Sequence, residues 1–131
     1  MPAEASQLAV LNLFLREFWT TAGLAPASMR CFELALEEIF LNISMHGPRP
    51  DSAPRVEVSL HLESEAVTMI IEDDGPPFDP LSLPPPDIAA DLADRKVGGL
   101  GVFLVRNVMD TLGYARIAGR NQLSMSKRLT P

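Results

Sequence analysis

A chain of 131 residues with 47% hydrophobic content is long enough for one packed domain, taken here as residues 1–131, and too short for two independent ones. Its formal net charge of -6 argues against a broad phosphate-backbone binder, which needs clustered lysine and arginine to displace counterions, so no direct contact with nucleic acid is expected. A lone cysteine, Cys31, rules out an intrachain disulfide framework, and the longest apolar run, near Val97 to Val105, is interrupted by glycines and far short of the roughly 20 residues of a membrane helix.

Residues Leu8, Leu11, Leu15, Phe18 and Trp19 recur at three- and four-residue intervals and predict a helix from about Ser6 to Thr21. The opening MPAEASQLAV has no basic segment followed by an apolar stretch and a small-residue cleavage site, so a secretory signal is not expected and a reducing cytoplasm is. Gly23 and Ala25-Pro26 interrupt the pattern, and a second helical period runs from about Ala27 to His46 through Phe32, Leu36, Ile39, Phe40 and Ile43, ended by Gly47-Pro48. Cys31 reads as a small buried hydrophobe of this helix, since neither His46 nor His61 stands at metal-ligand spacing from it.

After GPRPDSAP, the alternation of Val56, Val58, Leu60 and Leu62 with polar residues predicts a strand with one buried face, Arg55 to Leu62. Ser64-Glu65 is a candidate hairpin turn into a second strand, Ala66 to Asp73, whose continuous VTMII suggests a more central place in the sheet. Pro76 to Pro86 is too proline-rich for a regular element and reads as a loop, with a short helix near Asp87 to Asp94. Gly98, Gly99 and Gly101 open a last helix through Val102, Leu104, Val105, Val108 and Met109, and Tyr114–Ile117 with Asn121–Lys127 form a closing hairpin around AGRN.

At about 100° per residue, Glu38, Asn42 and His46 form a polar ridge beside the apolar face of the second helix, while Glu37 turns toward solvent. A carboxylate and a carboxamide one turn apart can divide two tasks, the amide oxygen binding Mg²⁺ and the carboxylate deprotonating a hydroxyl or water. The same pair also suits the solvated edge of an amphipathic helix. Asp73-Asp74-Gly75 after an apolar strand is either a strand-ending turn or a carboxylate that accepts from an exocyclic amine beside a glycine that admits a purine; a calcium loop fits less well because Pro76-Pro77 breaks its ligand spacing. The glycines before the last helix serve either close packing or phosphate binding at the free N–H groups of the helix start.

Taken in order, Glu38 and Asn42, then Asp73-Asp74-Gly75, then Gly98-Gly99-Leu100-Gly101 resemble the N box and two glycine boxes of the gyrase, heat-shock chaperone and histidine-kinase ATPase superfamily, over about Ala27 to Lys127. Within it, LALEEIFLNISMHG, DDGPPFDP and GGLGVFLVRNVMD look most like the anti-sigma-factor serine/threonine protein kinases of bacterial partner-switching systems. That resemblance implies a two-layer α/β sandwich, with helices on one face of a mixed, mostly antiparallel sheet and an ATP lid at about residues 80–97. It implies Glu38 as the general base, Asn42 as the Mg²⁺ ligand, Asp73 as the adenine-amine acceptor with Gly75 beside the base, and Gly99 and Gly101 along the phosphates. Gly98, Leu100 and Phe103 follow as further pocket contributors and His46 as pocket support.

The activity so implied is Mg-ATP-dependent phosphorylation of a small anti-sigma-factor antagonist, with a sigma factor as a second partner, a possible homodimer and no membrane association. Rival readings are a non-catalytic module whose nucleotide state selects its partner, and a small ATP hydrolase. Pro77 departs from the superfamily pattern, standing where a second glycine is common and removing a backbone N–H.

Overall fold

The computed structural model describes residues 5–46, 55–82 and 99–129. The GPRPDSAP break, the short helix expected near Asp87 to Asp94, Gly98 and residues 83–97 of the expected lid lie outside them. In chain order the elements are helices α1 (Ala5–Thr21) and α2 (Pro26–His46), strands β1 (Val56–Glu63) and β2 (Ala66–Asp73), a 3₁₀ turn (Pro80–Ser82), helix α3 (Gly99–Val108) and strands β3 (Thr111–Ile117) and β4 (Arg120–Arg128). The helices cover one face of a four-stranded sheet of order β1-β2-β4-β3, and every pairing among the described strands is antiparallel.

Helix α1 stops where Gly23, at φ +68, takes the left-handed conformation that lets the Gly23 and Leu24 N–H groups bond back to the carbonyls of Thr20 and Trp19. Pro26 then starts α2 at the position where a missing N–H costs nothing. Trp19 pins the corner: its indole N–H reaches the Ala25 carbonyl at 3.1 Å and the Ser28 hydroxyl at 3.2 Å, while its ring packs on Phe32 at 5.0 Å. With both rings almost wholly buried, each contributes about 1.5–3 kcal/mol of apolar transfer. Cys31 is half-buried against this cluster, in keeping with its expected apolar role.

Strand β2 lies between β1 and β4, as its apolar run predicts, but its burial alternates. Val67, Met69 and Ile71 enter the core under the helices, whereas Thr68 and Ile70 lie half-buried on the other side. Both hairpins close through two-residue turns with both residues in the left-handed region, Ser64-Glu65 (φ 49 and 69) and Ala118-Gly119 (φ 52 and 78), the geometry that matches strand twist. Strand β3 begins at Thr111, three residues before the predicted Tyr114. Gly113 looks like a breaker in sequence, yet pairing with Ser124 across the β3–β4 hairpin holds it in the ladder.

The registers set Val56 opposite Asp73, Asp73 opposite Asn121 and Asn121 opposite Arg116, one row across all four strands at the end of the sheet where α2 finishes. Alternation keeps this row on the helix side with Ile71 and Leu123. Polar residues on a core-facing row need partners, and the row forms one wall of the site.

Candidate functional site

A narrow cleft lies between the C-terminal half of α2 and this end of the sheet. Ile39 and Ile43 line it from α2, Ile71 and Leu123 form its floor, and Phe78, Pro80 and Tyr114 close its sides. Its polar groups are Asn42, Asp73 and Asn121, all buried. An apolar lining with a few convergent polar groups is the composition typical of a small-molecule site.

Asp73 ends β2 and is 7% exposed. Its Oδ1 accepts from the Gly75 N–H at 2.9 Å and from Asn121 Nδ2 at 3.1 Å. Two lone pairs on Oδ1 are thereby used, and the carboxylate retains Oδ2 as an acceptor for a donor in the cleft. Gly75 is itself buried, and its carbonyl accepts from Arg116 at 2.8 Å.

Asn42, four residues on from Glu38 in α2, shares the cleft with Asp73 and is 3% exposed. Its Nδ2 is buried without a hydrogen-bond partner. An orphaned buried amide costs about 1–3 kcal/mol unless water or a ligand meets it. Among the described residues no group of three acidic, histidine or cysteine side chains can enclose a metal. A single side-chain oxygen nevertheless fits Mg²⁺, which takes most of its ligands from phosphates and water, and turning the unpartnered amide over brings oxygen to that place.

Glu38 does not line this cleft. Its carboxylate lies against the start of α3, where a methyl group built on Gly101 would come within 3.1 Å of Glu38 Cδ and 3.4 Å of its Cβ, with Oε2 nearer still. The absence of a side chain at Gly101 leaves the space beside α3 that the Glu38 carboxylate occupies. Burial, and secondly the neighbouring Glu37 carboxylate, hold the Glu38 carboxyl above its ordinary value of 4.5. Glu37 itself is exposed, as its place on the wheel predicts.

Gly99 is the first residue of α3, with Leu100 and Gly101 behind it in the opening turn, so their N–H groups lie at the positive end of the helix dipole. Phe103 is half-buried one turn further on and does not line the described cleft. His46 is the last residue of α2. Asn121, Tyr114, Phe78 and Arg116 complete the cleft and its rim without being among the site residues that the sequence motifs point to. A signal for Asn121 exists: it falls in phase with Leu123 and Met125, a polar side chain at an inward position of an alternating strand.

The sequence profile described as "Histidine kinase-like ATPase domain" matches residues 1–127. The chain belongs to that family. As a member of an ATPase family it binds ATP. Its relatives include the serine/threonine-protein kinase BtrW of Bordetella bronchiseptica, 31% identical over 92% of this chain and 81% of that protein. The serine-protein kinase RsbW of Halalkalibacterium halodurans is 28% identical over 91% of this chain and 75% of its own length. RsbW of Listeria innocua is 23% identical over 84% and 73%.

Among solved structures, the Acinetobacter baumannii histidine kinase AdeS superposes on 79% of this chain and 48% of its own, with a TM-score of 0.50 at 18% identity, a likeness of fold. Among the described residues of this family member, no helix is long and apolar enough to cross a membrane.

Within the family frame, Asp73→Asn is expected to weaken ATP binding roughly 10–100-fold, the loss of a hydrogen bond to a charged acceptor and its replacement by a mismatched donor. Isothermal titration against ATP checks it, with the circular dichroism melt as the control for folding. Undiminished affinity would remove Asp73 from base recognition.

Proposed function

We propose that this chain is an ATP-dependent serine/threonine protein kinase of a bacterial partner-switching system, acting in the cytoplasm on a small anti-sigma-factor antagonist. The observation that carries the reading is the meeting of Glu38 with Gly101, which brings a carboxylate of raised pKa to the glycine-bordered start of α3. The naming of BtrW and RsbW as protein kinases supports it from outside the structure.

In this reading Asp73 and the apolar slot hold adenine, and the first N–H groups of α3 hold the phosphates. Glu38 takes the proton of a serine or threonine hydroxyl as the oxygen bonds to the γ-phosphorus and the bond to the β-phosphate oxygen breaks, leaving phosphoprotein and ADP. Mg²⁺, held through Asn42, would neutralise charge on the phosphate oxygens when bound. The chain's own work is to place base, nucleotide and hydroxyl within reach of one another. A sigma factor is the second proposed partner. Homodimerisation belongs to the same reading, and Val10, Leu13 and Phe14 leave an apolar ridge of α1 exposed for it.

Incubation with γ-labelled ATP, Mg²⁺ and candidate anti-sigma-factor antagonists from the same organism tests the proposal. Label on a serine or threonine of the antagonist is expected. ATP binding without transfer would support the non-catalytic module, and free labelled phosphate with an unlabelled partner would support a hydrolase.

A further inference from the structure

Asn121 has all its hydrogen-bonding capacity occupied. Its Nδ2 donates to Asp73 Oδ1 at 3.1 Å and to the Pro76 carbonyl at 2.9 Å, and its Oδ1 accepts from the Phe78 N–H at 3.2 Å and the Tyr114 hydroxyl at 2.5 Å. An asparagine amide has two donors and two lone pairs, so nothing is left over. Its orientation is determined by chemistry as well as distance. Pro76 offers only an oxygen and Phe78 only an N–H, so the amide cannot be turned over without breaking both.

We infer that Asn121 is a positioning residue for nucleobase selectivity: saturated and fixed, it occupies Asp73 Oδ1 and leaves Oδ2 as the oxygen that meets the base. This rests on Asp73 as the base-recognising carboxylate. A saturated amide has no donor to give a ring carbonyl, and Oδ2 is acceptor-only, so the edge of the base that faces them must carry an N–H donor. A keto oxygen there meets a buried carboxylate. Tyr114 holds the amide from β3, which makes selectivity a property of the β3–β4 hairpin as well as of β2.

The same amide accounts for the tolerance of Pro77. It bonds the residues on either side, Pro76 through its carbonyl and Phe78 through its N–H, while Arg116 holds the Gly75 carbonyl. The loop is therefore tied from β3 and β4 and does not depend on an N–H at Pro77.

The test compares ATP with purine riboside triphosphate, which lacks the exocyclic amine, by titration calorimetry on the wild type, Asn121→Leu and Tyr114→Phe. The wild type is expected to prefer ATP roughly 10–100-fold, and Asn121→Leu to lose most of that ratio through ATP alone, since a charge-assisted hydrogen bond is at stake. Tyr114→Phe, which deletes one O–H and preserves the ring, is expected to lose part of the ratio and decides the matter if Asn121→Leu does not fold. Equal weakening of both nucleotides would make Asn121 merely structural and overturn the inference. Discrimination surviving both substitutions overturns it too, with Asp73 untouched. A wild type that does not discriminate overturns the base-recognition reading itself and this inference with it.

Discussion

Glu38→Gln is expected to lower phosphoryl transfer to the antagonist by about 10²–10⁴-fold, the usual worth of a positioned general base, with ATP affinity nearly unchanged. The glutamine is isosteric and fills the same space over Gly101, so neither packing nor the approach of α2 to α3 is disturbed. Proton transfer alone is removed. Single-turnover transfer with saturating ATP measures the first quantity and calorimetry the second; transfer within a few-fold of wild type would eliminate Glu38 as the base.

The pH dependence follows with a definite sign. Burial and then Glu37 raise the folded-state pKa of Glu38 above 4.5, so the carboxyl keeps its proton to a higher pH in the folded than in the unfolded chain. The base is active only when ionised, and transfer should therefore fall as pH drops through that raised value, while residual activity of Glu38→Gln shows no such step. Stability runs the other way. Its contribution from this group is fully present below 4.5, where both states are protonated, and is lost as pH rises through the folded-state pKa. Glu38→Gln should accordingly melt no lower than wild type at neutral pH, and the difference should change through that interval in a melting series across pH.

Gly101→Ala is expected to cost transfer about 10²-fold while sparing the fold, because misplacing a catalytic group by about 1 Å has that effect. A methyl group at Gly101 overlaps Glu38 Oε2 and crowds Cδ, and the carboxylate, at the end of a flexible side chain, is the part that gives way. In the helix itself alanine is favoured over glycine by about 1 kcal/mol, which offsets the crowding. An unaltered melting temperature with depressed transfer is the expected pair of results. Full transfer by Gly101→Ala would show that the position of the carboxylate above α3 does not matter. A collapsed melt would make the contact structural.

The two substitutions separate two claims. Glu38→Gln asks whether the group ionises for a purpose, and Gly101→Ala asks whether it must stand where it does.

Periodicity and turn chemistry were sufficient for helices α1, α2 and α3 and strands β1 and β2. The stripe from Leu8 to Trp19 and the run through Phe32, Leu36 and Ile39 form helices because one face in each can be buried, and Val56, Val58 and Leu60 alternate because a sheet covered on one side requires it. Local order also carried the site's outline. Glu38 and Asn42 stand one turn apart on α2, although only Asn42 lines the cleft, Asp73 precedes a turn because glycine and proline follow it, and three spaced motifs in one order were enough to indicate the family. The division between an outward Glu37 and a half-buried Glu38 was legible for the same reason: it depends on angle along one helix alone.

What required the tertiary structure was everything set by residues distant in the chain. No spacing rule links Asn121 to Asp73 across 48 positions; the β2–β4 register does, by placing them opposite each other on a buried face where a carboxylate must find a donor. Gly101 read alone is a glycine near a helix start, and only the packing of α3 on α2 turns its missing side chain into space for Glu38. The start of β3 at Thr111 belongs to the same class, since Gly113 is poor strand material until β4 pairs with it. Sequence by itself determined which groups lie on each element and the order in which they occur, because those follow from backbone period and turn preference. Tertiary structure alone decided which oxygen of Asp73 is free, what holds it and what stands against Glu38, because hydrogen-bond saturation and close approach are properties of pairs that meet only when the chain has folded.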